Sequence, residues 1–157
     1  KQVTISPVSK NTYESPFCIH ILNVERNIKC LKKMIEKSYK WNTLEDYVDN
    51  NGKKHHVATT RTTFLKYPKI LFISFDKKSY VEIEEQLILD DNVYNLRSSI
   101  IHKGIQYGGH YMSIIKRGDD WLIQDDDNLG KLNNFPKEDN HFVLVYNLKT
   151  PSSEYPL

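Results

Sequence analysis

Residues 94–132 read "YNLRSSIIHKGIQYGGHYMSIIKRGDDWLIQDDDNLGKL". β-Branched and aromatic runs separated by Gly- and Asp-containing breaks predict strands over 94–102, 109–117 and 121–125. The break "KRGDDW" fixes their parity. If it turns through an even-numbered loop, residues whose numbers sum to 237 face each other, so Lys116 opposes Trp121 and Met112 opposes Asp125. His110, two residues from Met112, is then the diagonal neighbour of Asp125, at roughly 7–8 Å between backbones, a gap that the two side chains can bridge. The same parity places Asp127 on this face and Asp126 on the other, leaving two candidate acids. An odd loop would flip the strand and remove both.

Such a pair carries a specific chemistry. A neutral imidazole accepts a proton from a nucleophile, and an acceptor on its other nitrogen fixes the tautomer and stabilises the imidazolium. Of three adjacent carboxylates, the one beside His110 gains most from that charge, while the others favour solvent. Gly108 and Gly109 remove side chains just before the His, so another backbone or an extended substrate can come close. The competing interpretation is a solvated surface hairpin that happens to carry a His and several acids.

Working outward, "PFCIHILNV" (16–24) reads as a strand. Asn27 can cap a helix over 28–39, with Ile28, Leu31, Ile35 and Tyr39 along one face. The polar "DNNGKKHH" (49–56) reads as a turn or loop, and "TTFLKYPKILFISFD" (62–76) as two strands broken at Pro68. Further strands are predicted over 80–83 and 141–147. One N-terminal helix followed by many strands predicts an α+β fold with a mainly antiparallel sheet. Both ends are polar or Pro/Ser-rich, so the expected organisation is an arm over 1–15, one domain over 16–149 and a tail over 150–157.

Composition narrows the classes. The chain has 157 residues, with 22 basic and 20 acidic side chains giving a net charge of +2. That balance creates no dominant field for nucleic acid or an anionic membrane. The longest apolar runs fall far below the roughly 18–20 residues of a membrane span. The two cysteines, Cys18 and Cys30, read as reduced thiols, which points to an intracellular setting. The sequence opens on Lys1 with no Met before Met34, so a longer protein is expected. One Ala among abundant Lys, Asn, Ile and Tyr matches AT-rich coding sequence, as in a large DNA virus or an AT-rich protist.

Residues 94–132 resemble the histidine box of the ubiquitin-specific proteases. The shared features are a Tyr-x-Leu strand, the His-x-Gly step at His102, the "GGHY" around His110, and a Trp four residues before an Asp. "TTFLKYPKILFISFDKK" and "IEEQLILDD" upstream, and "NHFVLVYNLK" downstream, resemble neighbouring segments of the same family, so the likeness runs over about 16–149. The resemblance implies the C-terminal palm half of a papain-like cysteine protease fold. It makes His110 the general base and Asp125 its orienting acid, and it sets Gly109 and Tyr111 beside the channel that takes the Gly-Gly tail of ubiquitin. It gives His102 a structural place, and it requires no cofactor.

The family's Cys box, a Gly-rich stretch ending Asn-Thr-Cys-Tyr at the start of a buried helix, has no counterpart here. A nucleophilic thiol needs a lowered pKa and an adjacent oxyanion donor. Cys18 lies in a strand pattern, and Cys30 begins the predicted helix without the turn that would supply that donor, so both read as packed or idle thiols. The family's zinc-binding Cys-x-x-Cys pairs are also missing. His55 and His56 read as a solvated pair, and no metal site is expected. Two functions follow from the resemblance. One is thiol-dependent hydrolysis of the ubiquitin C-terminal (iso)peptide bond, with ubiquitin or a ubiquitin-like protein as partner and the Cys supplied by an upstream segment or a separate chain; the 157 residues alone are then inactive. The other is a catalytically inactive binding or structural module in a larger assembly.

Overall fold

Alternation of apolar and polar residues from Ile70 onward builds most of the structure. The computed structural model describes residues 1–7, 9–24, 27–76, 81–105 and 108–149, the side chain of residue 105 excepted. Its strands are β1 (Gln2–Ile5), β2 (Lys10–Tyr13), β3 (His20–Leu22), β4 (Asn42–Val48), β5 (Lys54–Thr62), β6 (Ile70–Phe75), β7 (Gln86–Leu89), β8 (Asn92–Ile105), β9 (Gly108–Arg117), β10 (Asp120–Asp125), β11 (Asn128–Leu132) and β12 (His141–Leu148), with one helix, α1 (Leu31–Ser38). The fold is α+β with a mainly antiparallel sheet, as the pattern predicts. No helix among the described residues is long and apolar enough to cross a membrane.

Contacts group the chain into two compact units, Lys1–Phe17 with Ile35–Tyr67, and Cys18–Met34 with Pro68–Leu157. The second holds an eight-stranded sheet ordered β11-β10-β9-β8-β12-β6-β3, with β7 paired to β8; β3 runs parallel to β6. One face of this sheet is the core, formed by Leu71, Ile73, Leu96, Ile101, Ile114, Leu144 and Tyr146, each at most 1 % exposed. A bulge that leaves Arg97 unpaired against β12 moves the inward positions of β8 from Tyr94 and Leu96 to Ser99 and Ile101. The two fully buried tyrosines keep hydrogen-bond partners. Tyr94 Oη donates to the Pro68 carbonyl at 2.6 Å and Tyr146 Oη to the Glu84 carbonyl at 2.7 Å, each contributing about 1 kcal/mol.

The first unit is a four-stranded sheet ordered β2-β1-β5-β4. It absorbs residues expected to be an arm. Gln2–Ile5 pairs with both Lys10–Tyr13 and Thr59–Thr62, because an alternating β-branched run can pair even when it buries little. The expected strand over 62–67 lies earlier, as β5, which pairs with β4 around a turn at Asn50–Gly52. Asp49 organises that turn. Its Oδ1 accepts the backbone N–H groups of Asn51 (2.9 Å) and Lys53 (3.0 Å), and Gly52 takes the positive φ of 78° that the turn requires.

The helix starts later than the pattern over 28–39 predicts. The backbone of Lys29 and Leu31 pairs with Glu82 in a short parallel bridge, which holds 28–30 extended, and Cys30, not Asn27, occupies the capping position with its carbonyl 3.2 Å from Met34 N. Of the strand expected over 80–83, residues 81–83 form only that bridge, and residue 80 lies outside the described residues, as does the tail over 150–157. β7 and β11 were not anticipated; each is a short partner strand with few β-branched residues.

Candidate active site

The β9–β10 hairpin has the even-loop register. Lys116 pairs with Trp121 and Ser113 with Gln124, and Gly118 takes a positive φ of 61° in the turn. His110, Met112 and Ile114 therefore share the inward face of β9 by alternation. Met112 and Ile114 are buried there, at 7 % and 0 % exposed, whereas the side chain of His110 at the strand's end is 45 % exposed. Trp121 anchors the other end of the hairpin. It is 5 % exposed, donates Nε1–H to Glu85 Oε2 at 3.1 Å, meets the Phe135 ring at a tilt with centroids 4.8 Å apart and lies beneath the Lys116 ammonium at 5.0 Å.

Four residues beyond Trp121, Asp125 accepts a hydrogen bond from Nε2 of His110. A carboxylate can only accept, so the proton sits on Nε2 and the lone pair of the neutral ring is on Nδ1. That is the arrangement a general base needs. Asp125, by hydrogen bond and charge, raises the His110 pKa above its ordinary value, against a smaller opposing effect of burial, and the charge of Asp126 adds to the rise. Opposite His110, on β8, stands Lys103.

Parity placed Asp127 with His110 and Asp126 on the far face, whereas the structure brings Asp126 to His110. Asp126 begins the two-residue connection to β11 with a φ of 47°, and its carbonyl accepts the side-chain amide of Gln124. Strand alternation ends at Asp125, and the turn brings the Asp126 carboxylate back towards the His. One ligand atom from each of His110, Asp125 and Asp126 lies within 4.8 Å of the other two. The sequence signal for this was the connection itself, too short to continue the strand.

Gly109 and Tyr111 flank His110 as the sequence places them, but with different surroundings. Gly109 faces Gly104 across β8, and a Cβ on it would overlap Nε2 of His102 and lie 2.7 Å from its Cε1. Tyr111 lies on the outward face, 53 % exposed, with its ring 4.5 Å from that of His102 and 5.6 Å from that of Phe142. Asn140 braces the His102 backbone, donating Nδ2–H to its carbonyl at 2.6 Å and accepting its N–H at 3.0 Å. Neither Glu85 nor Asn140 was singled out from sequence, because a lone polar residue in a strand or loop carries no periodic signal.

The two cysteines differ in setting. Cys18 is exposed; Cys30 donates its thiol to Glu84 Oε1 at 3.1 Å, and burial, together with that carboxylate, pushes its pKa up. Two thiols cannot supply the paired Cys-x-x-Cys zinc set. His55 is not the solvated residue expected. At 7 % exposed it donates Nε2–H to Asp49 Oδ2 at 2.9 Å, whereas the His56 side chain is fully exposed. Burying His55 in this way is possible because Asp49 is already fixed by the turn.

The sequence model of a family described as "Ubiquitin carboxyl-terminal hydrolase" matches residues 9–146. Among curated proteins, none matches the chain by sequence. Solved structures with the same fold include a SAGA DUB module of Ubp8, Sgf11, Sus1 and Sgf73, with one residue of Ubp8 substituted, bound to monoubiquitin, at a TM-score of 0.79 and 17 % identity. The module of the same four proteins bound to ubiquitin aldehyde matches at 0.78 and 17 %. A yeast SAGA DUB module carrying a point mutant of Sgf73 matches at 0.80 and 18 %. In each case the match covers 95 % of this chain and 40 % of the other, so the chain spans about two fifths of those proteins.

Proposed function

Because the chain belongs to the ubiquitin carboxyl-terminal hydrolase family, we propose that it supplies the base half of a thiol protease site cleaving the (iso)peptide bond at the C-terminus of ubiquitin or a ubiquitin-like protein. The observation that carries this reading is the His110–Asp125 pair, which leaves Nδ1 of the imidazole as acceptor. His110 takes the proton of a cysteine thiol, Asp125 holds the resulting imidazolium, and the thiolate attacks the carbonyl of the terminal Gly. His110 returns the proton to the leaving amine, and water, deprotonated by the same imidazole, hydrolyses the acyl-enzyme. The backbone of Gly109 and the exposed ring of Tyr111 lie beside the base, where an extended tail would pass, and Gly108 before them has open space.

The cysteine comes from a segment outside these 157 residues or from another chain. Cys30 is unsuited because its thiol is held protonated against Glu84. That same observation favours the second reading, a domain without a nucleophile that persists as a binding module. A ubiquitin probe with a thiol-reactive C-terminus separates the two. Labelling of the full-length parent, abolished by His110→Ala, supports the protease, and a parent that never labels leaves the binding module. The 157 residues alone should not label, and labelling at Cys18 or Cys30 would overturn the assignment of both thiols.

A further inference from the structure

We propose that β11 is a docking edge for a second copy of this chain, joining two eight-stranded sheets through an antiparallel β11–β11 pair. β11 ends the sheet and pairs with β10 alone. Its two-residue connection to β10 makes Asp125–Asn128 the closing hydrogen-bonded pair, and such pairs recur at Ile123–Gly130 and Trp121–Leu132. The N–H and C=O groups of Leu129 and Lys131 therefore point away from β10, and among the described residues no hydrogen bond reaches them. Such an edge is a template for another strand.

Self-complementarity selects another β11 as that strand. About a two-fold axis at Gly130, residues whose numbers sum to 260 face each other. Leu129 of each copy then opposes Lys131 of the other, and both pairs close backbone hydrogen bonds through the outward groups. Gly130 puts no side chain at the axis, where the Cα atoms of a non-hydrogen-bonded pair approach to about 4.5 Å. On the outer face of the sheet, Ile115 pairs with Leu122 and Leu122 with Lys131. Leu129 of the second copy extends that row over the Lys131 methylenes. Leu129 is 61 % and Ile115 45 % exposed, so apolar surface remains there to be covered. Like charges do not meet. Lys131 is neutralised within its own chain by Asp120 at 2.8 Å, and Asp126 and Asp127 fall opposite Asn134 and Asn133. Each Asp125–Asn128 end lies beside the Leu132 end of the second copy, so the pairing sets the two His110 sites apart. The proposal does not rest on the protease reading.

The test is sedimentation of the 157-residue chain from about 10 µM to about 1 mM, since so small an interface corresponds to a dissociation constant on the order of 100 µM. A reversible dimer should form, and amide exchange at Leu129 and Lys131 should slow as concentration rises. Two variants at an exposed position check the register. Leu129→Lys sets an ammonium against Lys131 of the second copy, twice per dimer, and should weaken association by roughly tenfold. Leu129→Glu sets a carboxylate there and should not weaken it. A monomer at every concentration, or protection of the Leu129 and Lys131 amides already in the dilute monomer, would overturn the proposal. So would undiminished association of Leu129→Lys, or equal weakening by both variants.

Discussion

Substituting Gly109 by alanine tests how tightly the strand carrying His110 is held. The added Cβ would overlap His102 Nε2, lie 2.7 Å from Cε1 and approach the Lys103 carbonyl oxygen to 2.9 Å. The ring can rotate away only by giving up its 4.5 Å contact with Tyr111, a loss of about 0.5–1.5 kcal/mol. The carbonyl cannot rotate away, so β8 and β9 must part by a few tenths of an ångström, within the range of about 1–3 kcal/mol for overpacking. Together these give a destabilisation of about 2–4 kcal/mol. In a chain of this size that lowers Tm by about 5–15 °C. Thermal and urea unfolding of the wild type, Gly109→Ala, His102→Ala and the double variant form a cycle in which the ring's share is recovered when both positions change. The expected coupling is about 1 kcal/mol. A loss below about 0.5 kcal/mol in Gly109→Ala, or additivity within about 0.5 kcal/mol, would refute the argument.

Two further predictions concern titration. The His110 pKa is raised by Asp125, so the charged ring stabilises the fold at pH values below the unfolded value near 6.5, and that contribution fades as pH rises through the folded value. NMR titration of the ring should place its pKa above 6.5 and find it lowered in Asp125→Asn; an unchanged value in that variant would contradict the pairing. Asp49 behaves oppositely. Hydrogen bonds from His55 and the turn amides lower its pKa, so it stabilises the fold above about 3.8 and ceases to as pH falls through the folded value. The urea midpoint should therefore drop more between pH 6 and pH 3 in the wild type than in Asp49→Asn, and equal drops would remove Asp49 from the account.

The parts of the fold legible in the sequence are those where one face of a strand is buried. Ile70–Phe75, Gly108–Arg117 and His141–Leu148 alternate because the sheet has a wet and a dry side, and parity through "KRGDDW" then predicts the Lys116–Trp121 pairing that the hairpin adopts. Legibility ends where backbone hydrogen bonds, not side-chain burial, set the conformation. Residues 28–30 have helical periodicity but pair with Glu82, and Gln2–Ile5 is half polar yet completes a sheet. The same limit governs the site. His110 and Asp125 follow from alternation, but Asp126 is decided by one dihedral angle in a turn, and the burial of His55 by an acid six residues away that a turn holds in place.

The eight-stranded sheet gathers this chemistry at one margin. The paired ends of β8 and β9 at Ile105 and Gly108, beside His110, and the β10–β11 connection beside Asp125 lie at the same end of the strands, while the Arg117–Asp120 turn lies at the other. Eight strand positions separate His110 from Gly118, a span of roughly 26 Å at the rise of an extended strand. The remote turn is therefore the permissive place for new sequence. A tag, a fluorophore or a lineage-specific insertion placed there has the Met112–Trp121 block between itself and the imidazole, so the protein can acquire new attachments without renegotiating the geometry of the His110–Asp125 pair.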